Sequence, residues 1–304
     1  MKKTIHVTNP FANPSKHSYT HPHAQRKQRT PFHPTSWLVS LWACGAFLCT
    51  FGIIAFLFWF VFSQGLQALS WDFLTQAPKG SVLGTEGGIL PAILGSLYYT
   101  LIAVCVASVL GIATAIHQVF YCRNAHVRTF VSLCMHCMAG APSIVIGLFG
   151  YALLVLALGW GKCLLAGGIT LAIMITPYIA IQSEKALREV DPHIIASSYA
   201  LGISRSHTIV HIVLPEARRS IISSLILGGC YAVGAAAPLI FTGAVILAQN
   251  PTSIMKPAMA LPYHLFMLLT QGNAPANAYG TACVMMILVL IANGIATTLS
   301  MRKR

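Results

Sequence analysis

Cys134-Met-His-Cys137 is the tightest grouping of nucleophilic and metal-ligating side chains in this 304-residue chain. Two thiols and an imidazole so close together can hold a soft divalent metal or form a redox pair. On a helix Cys134 and Cys137 share a face while His136 points elsewhere, so zinc would need a further ligand. An intramembrane metal or thiol enzyme using Cys134, His136 and Cys137, or His117 and His126 beside them, is therefore one reading. No acidic partner stands in the apolar segments to support it. The plainer reading is small polarizable side chains packing between helices. The nine cysteines lack the spacing of an extracellular disulfide framework. Five of the twelve histidines, including His21-Pro-His23, fall in the first 36 residues, a solvated tail by composition. No Walker phosphate loop occurs, so any ATP is bound and hydrolysed by a partner. No catalytic residue, metal or cofactor is assigned to the chain itself.

The second chemically distinctive stretch is polar and runs from Ser183 to Arg219. Asp191 before Pro192 reads as a helix start: a capping carboxylate, then proline at the first helical position. That helix should run to Leu201 and stop at Gly202 in a left-handed cap. Ser204 caps a second short helix expected to end near Pro215. Ile194, Ile195, Tyr199 and Leu201 give the pair apolar surface, and Arg205, His207 and His211 lie on its second half. Such a knob suits insertion of a helix into a partner's groove; the alternative is a cap packed on its own bundle.

The elements that must position these groups are membrane helices. The chain is 56% hydrophobic and 8% charged, far from the quarter of charged residues usual in soluble domains. Six apolar runs, Trp37–Ser63, Leu90–Ala115, Thr129–Leu158, Cys163–Gln182, Ser220–Ala248 and Tyr279–Ser300, lack Lys, Arg, Asp and Glu, and each is long enough to span a bilayer. They are too long and too uniformly apolar for barrel strands. The expected fold is all-α and polytopic, with six transmembrane helices. Residues 1–36 form a disordered basic cytoplasmic tail, 37–300 the membrane domain with its 183–219 cytoplasmic loop, and 301–304 a basic tail.

Sixteen Lys/Arg fall on one side of these spans and three, Lys79, Lys162 and Lys256, on the other. This positive-inside bias puts both termini in the cytoplasm. The net charge of +13 then reads as topology and contact with anionic lipid rather than nucleic-acid binding. Two spans carry central breaks, Gly140-Ala-Pro-Ser143 and Gly234-Ala-Ala-Ala-Pro238. Gly/Pro-interrupted spans point to a transport path, with a packing kink as the alternative. Pro177 reads as a simple kink. Met255–Leu269 is apolar but too short and proline-broken to span, and should lie at the interface or dip inward under a protein cover.

These motifs resemble a known family. Gly202, nine residues, then Ile212-Val-Leu-Pro215 match the loop by which bacterial ABC-importer permeases grip their ATPase. Gly87-Gly-Ile-Leu-Pro-Ala-Ile-Leu-Gly-Ser96, Ala141-Pro-Ser-Ile-Val-Ile-Gly-Leu-Phe149, Gly234 with Ala237-Pro-Leu-Ile-Phe-Thr242, and Leu261-Pro262 with Phe266 are similar to the phosphate-transport permease subunits usually called PstA. The resemblance covers roughly residues 84–275. It implies a type I ABC-importer permease fold in the inner membrane. It also implies an ATPase dimer, a second, PstC-like permease and a periplasmic or tethered phosphate-binding protein. The implied ATPase-coupling residues are Glu184, Asp191, Ala196, Ser197, Ser198, Gly202, Ile212, Leu214 and Pro215. The implied path residues are Gly140, Pro142, Ser143, Tyr231, Gly234, Ala235, Pro238 and Thr242.

The departures from the family pattern fall where charge is expected. The contact loop's Glu-Ala-Ala is Ala196-Ser197-Ser198 here. The fifth span's Arg, Glu and Thr are Tyr231, Ala235 and Ala236, and a fourth-span Arg is Ile181, although Glu184 keeps a nearby acid. A mid-membrane charge costs at least about 2.5–3.5 kcal/mol and is kept only for function. Its loss leaves three explanations: a partner permease supplies the charge and this chain is a mechanical half, the substrate has changed, or function is being lost.

Overall fold

A computed structural model describes residues 34–79, 83–84, 86–246, 250–271 and 274–301. The expected disordered tail up to residue 33, with His21-Pro-His23, and the last three residues lie outside this set. The chain divides into two compact units, Met1–Ala55 and Phe56–Arg304. Within the first, the described residues belong to one helix, α1 (Pro34–Gly65), which continues into the second.

In the second unit, α2 (Trp71–Thr75) starts at Ser70, whose hydroxyl accepts from the Phe73 N–H, and a two-residue hairpin pairs β1 (Pro78–Lys79) with β2 (Glu86–Gly87). Then follow α3 (Leu90–Ile116), α4 (Ala125–Ala139), α5 (Ser143–Gly150) and α6 (Leu164–Arg188). The 183–219 loop holds α7 (Pro192–Ala200) and α8 (Arg205–Thr208), and α9 (Leu214–Val233), α10 (Ala237–Thr242), α11 (Leu261–Gln271) and α12 (Pro275–Met301) complete the order. Single π-helical stretches extend α3 through Tyr121, α5 through Ala157 and α8 through Val213.

Among the described residues four helices are long and apolar enough to cross a membrane: Val39–Ala68, Leu90–Tyr121, Leu164–Arg188 and Pro275–Met301. They carry the first, second, fourth and sixth expected spans. The third is divided into α4 and α5, bent by 99° at Gly140-Ala-Pro142. Proline lacks the N–H that would continue the ladder, so the helix restarts at Ser143. The fifth is divided too: α9 stops at Val233 and α10 takes over at Ala237. α9 also starts earlier than the expected Ser220, and its first turns carry Glu216, Arg218 and Arg219. Pro177 lies inside an unbroken α6.

The packing explains why small residues recur. Along α3, Gly95, Tyr99, Ala103, Ala107, Gly111 and Ala115 stand four apart and are all buried, one face of a helix. A Cβ on Gly111 would come within 2.9 Å of Ile179 Cγ2 on α6, the close approach small residues permit between membrane helices. The main core gathers Tyr99, Leu171, Ile175, Ile179 and Leu239, and a second cluster gathers Phe73, Ile89, Met259, Leu261 and Leu268. A third cluster joins Ala115, Leu187, Val190, Val213, Ala217 and Ile221.

The segment before α11 is covered by protein. Ala258, Met259, Ala260 and Leu261 are fully buried, and buried non-helical backbone must find partners. The Tyr99 hydroxyl donates to Ala258 O at 3.1 Å and accepts from Ala258 N–H at 3.3 Å. The Leu261 N–H donates to Ser96 Oγ at 2.7 Å, and the Leu164 and Leu165 N–H groups donate to Lys256 O and Ile254 O, both at 2.9 Å.

Candidate functional site

The knob is built largely as its capping residues dictate. The Asp191 carboxylate accepts from the His193 N–H at 2.8 Å and Pro192 opens α7. The helix stops at Ala200, with Leu201 N–H donating to Ser197 O and Gly202 N–H to Tyr199 O. Gly202 sits at φ +77°, a backbone region that costs a side chain roughly 1–2 kcal/mol. Ser204 Oγ accepts from His207 N–H at 3.4 Å and starts α8.

Three fastenings make the knob rigid. Buried Ser198 pairs its hydroxyl with that of Thr208 at 2.6 Å, bracing α7 against α8. Arg205 Nη1 donates to Phe120 O at 2.7 Å, tying the knob to the end of α3. Ile195 and Leu214 pack on the third cluster, around Leu187 and Val213. The outward surface carries Ala196, Ser197, Ile194, Tyr199 and Leu201, the last 80% exposed.

One expectation fails here. The second short helix does not end near Pro215. The π-helical stretch Ile209–Val213 leads directly into α9, whose second residue is Pro215. Proline is tolerated there because first-turn N–H groups need no intrahelical acceptor. Ile212 is half-buried and Pro215 exposed. Glu184 lies outside the knob, on the last turns of α6, and pairs with Arg188 at 2.8 Å.

The two breaks sit beside one another. A Cβ on Gly147 of α5 would stand 2.8 Å from Pro238 Cα of α10, and Ala141 and Ala235 both pack on the main core. Gly140, Pro142 and Gly234 are exposed, Ser143 is half-buried, and Tyr231, one turn before Gly234, is 52% exposed. Pro238 and Thr242 are buried. The Thr242 hydroxyl donates to Pro238 O at 2.8 Å, and Thr242 O accepts from Cys163 N–H. Thr242 thus holds the outer backbone together rather than facing an opening. The path residues and the knob lie at opposite ends of the 20-residue α9, about 30 Å apart along its axis.

Cys134 and Cys137 are free thiols on α4, and His136 Nδ1 lies 2.7 Å from Ser132 O. Among the described residues no group of three or more His, Cys, Asp and Glu is placed to hold a metal. Tyr99, Ser96, Gly95 and Arg205 emerge as positioning residues only from the structure, since their partners lie 85–165 positions away.

The profile of the family described as "binding-protein-dependent transport system inner membrane component" matches residues 107–304. The chain belongs to this family. It is thus a multi-pass inner-membrane permease subunit of an ABC importer, and not itself catalytic; ATPase and substrate-binding partners go with that membership. It is 31% identical over 265 residues to the probable ABC transporter permease YqgI of Bacillus subtilis, covering 82% of this chain and 89% of that one. It is 30% identical over 208 residues to the probable phosphate transport system permease PstA of Methanocaldococcus jannaschii, covering 68% and 73%. The permease is thus a divergent relative of the PstA group. Its fold is also that of the inward-facing MetNI methionine ABC transporter, at TM-score 0.60 and 17% identity over 71% of this chain and 96% of that one.

Proposed function

We propose that this permease is one of two membrane chains of an ATP-driven phosphate importer, coupled to its ATPases through α7 and α8. The single observation that carries the coupling is continuity: the braced knob runs without a joint through Val213 into α9, and α9 ends at the break before Pro238. A groove on an ATPase that takes up Ile194, Tyr199 and Leu201 moves the knob as a rigid body. α9 then carries the displacement to Gly234, and the interruption between Gly234 and the start of α10 at Ala237 lets the path open or close.

Phosphate is supported by the relatives named as PstA. The chain lacks the charges that an oxyanion needs when it leaves water, since Ile181, Tyr231 and Ala235 stand where the family carries Arg, Arg and Glu. A second, PstC-like permease supplies that charge in this reading, and a periplasmic or tethered binding protein delivers the anion. Both termini face the cytoplasm, as the positive-inside bias requires. The test is phosphate uptake into proteoliposomes by the whole complex with ATP on the knob side. Phosphate accumulation that needs ATP and this subunit supports the proposal; uptake unaffected by omitting the subunit refutes it.

A further inference from the structure

Below the break at Gly234, α6 and α9 present facing polar stripes. On α6 and its C-terminal cap, Tyr178, Gln182, Lys185 and Glu189 recur at the spacing of one helix face, and on α9 Ser220 and Ser224 do the same, followed by the apolar Leu227. Tyr231 continues the α9 stripe one turn further towards the membrane centre. Between the stripes lies a cavity of about 250 Å³, bordered by Ser300 of α12 and open to the surface, where Lys185 and Glu189 are exposed.

Its chemistry is mixed. The Ser223 hydroxyl donates to Ala296 O at 3.0 Å and the Ser224 hydroxyl to Ile221 O at 2.7 Å. Both oxygens therefore turn lone pairs, not protons, to any ligand. Lys185 forms no ion pair or hydrogen bond through its side chain among the described residues. The ammonium of Lys185, the amide of Gln182 and the hydroxyls of Tyr178, Ser220 and Ser300 supply donors. The Glu189 carboxylate and the serine lone pairs supply acceptors.

Resting on the phosphate reading, we infer that this cavity is the cytoplasmic exit subsite of the path and takes a protonated oxyanion. Lys185 attracts the charge, and Glu189 or Ser224 accepts the hydroxyl proton that hydrogen phosphate carries and sulfate lacks. One cation beside one carboxylate makes the hold weak, as release into the cytoplasm demands. The place of the cavity fits: its α9 stripe leads down from Tyr231 and Gly234, so an anion that passes the break meets this face next. The subsite also accounts for a path with no charge at Ile181, Tyr231 or Ala235, because the chain's own cation sits lower, where water reaches it and its desolvation cost is small.

The experiment uses the whole complex in proteoliposomes and reads phosphate moved per ATP hydrolysed. Lys185→Glu is expected to lower that ratio about tenfold, and Lys185→Arg to keep most of it. Damage to the coupling knob would instead lower transport and ATP hydrolysis together and leave the ratio in place. In a variant whose nine cysteines are replaced, Ser220→Cys should react with a negatively charged thiosulfonate from the cytoplasmic side. Millimolar phosphate should slow that reaction, and sulfate should not. An unchanged ratio in Lys185→Glu, or equal protection by phosphate and sulfate, overturns the inference while leaving the phosphate reading intact. A wild-type complex that moves no phosphate removes both.

Discussion

Gly95→Ala adds one methyl group at the tightest glycine contact among the described residues. Its Cβ would fall on Met259 O, and 3.0 Å from Met259 C. Relief requires the buried segment before α11 to shift by roughly 1.5 Å, judged against ordinary non-bonded separations. That shift separates two partnerships that close the outer side: Tyr99 with Ala258, at 3.1 and 3.3 Å, and Leu261 N–H with Ser96 Oγ, at 2.7 Å. All these groups are buried, and each buried polar group left unpaired costs about 1–3 kcal/mol. The combined loss is on the order of 4 kcal/mol, which lowers the unfolding midpoint by on the order of 10 °C for a chain of this size. The assay is thermal unfolding of the purified protein in detergent. Gly294→Ala is the control, because nothing lies within 4 Å of its added Cβ and alanine favours the helix there. Equal midpoints for the two variants would refute the reasoning, since the only difference between them is the contact with Met259.

Tyr99→Phe removes the hydroxyl that donates to Ala258 O without adding volume, while the Ala258 N–H keeps Gly243 O, and is expected to cost about 1–3 kcal/mol in the same unfolding assay. His264 lies on α11, outside the spanning helices, 1% exposed and with Nδ1 3.1 Å from Thr281 Oγ1. Burial lowers its pKa from 6.5 to about 4. The unfolded chain takes up a proton in that window and the folded chain does not, so stability is complete above 6.5 and is lost as pH falls through about 4. The full loss is roughly 3 kcal/mol; unfolding of wild type and His264→Gln between neutral and acid pH should show it in the wild type alone. Arg205→Ala releases the knob from Phe120 O, and is expected to cut ATP-coupled transport several-fold while the unfolding midpoint moves by under about 2 °C, as for an exposed contact.

The parts of this fold that could be read from the sequence are those with local causes. Apolar length located the spans, proline and glycine located the breaks at Gly140 and Gly234, and Asp191, Pro192, Gly202 and Ser204 located the caps of the knob. Continuation through Pro215 was not legible, because a π-helical stretch at Ile209–Val213 has no signature in residue type. Nor were the groups that hold the covered Ala258–Leu261 segment, Tyr99 and Ser96, which stand more than 150 positions away. Thr242 shows the same limit at the candidate site: a threonine beside a broken span suggests a path, and only the structure shows its hydroxyl spent on Pro238 O. The facing stripes of Tyr178, Gln182, Lys185 and Ser220, Ser224 needed the pairing of α6 with α9 before their periodicity meant anything.

The central claim is that the knob transmits the ATPase stroke through α9. Leu201→Glu tests it most directly, because Leu201 is 80% exposed and its replacement leaves the permease folded while placing a charge on the docking surface. ATP-driven phosphate uptake by the reconstituted complex is expected to fall at least tenfold, together with capture of the ATPase by the permease. Uptake and ATPase capture at wild-type levels in Leu201→Glu would contradict the account.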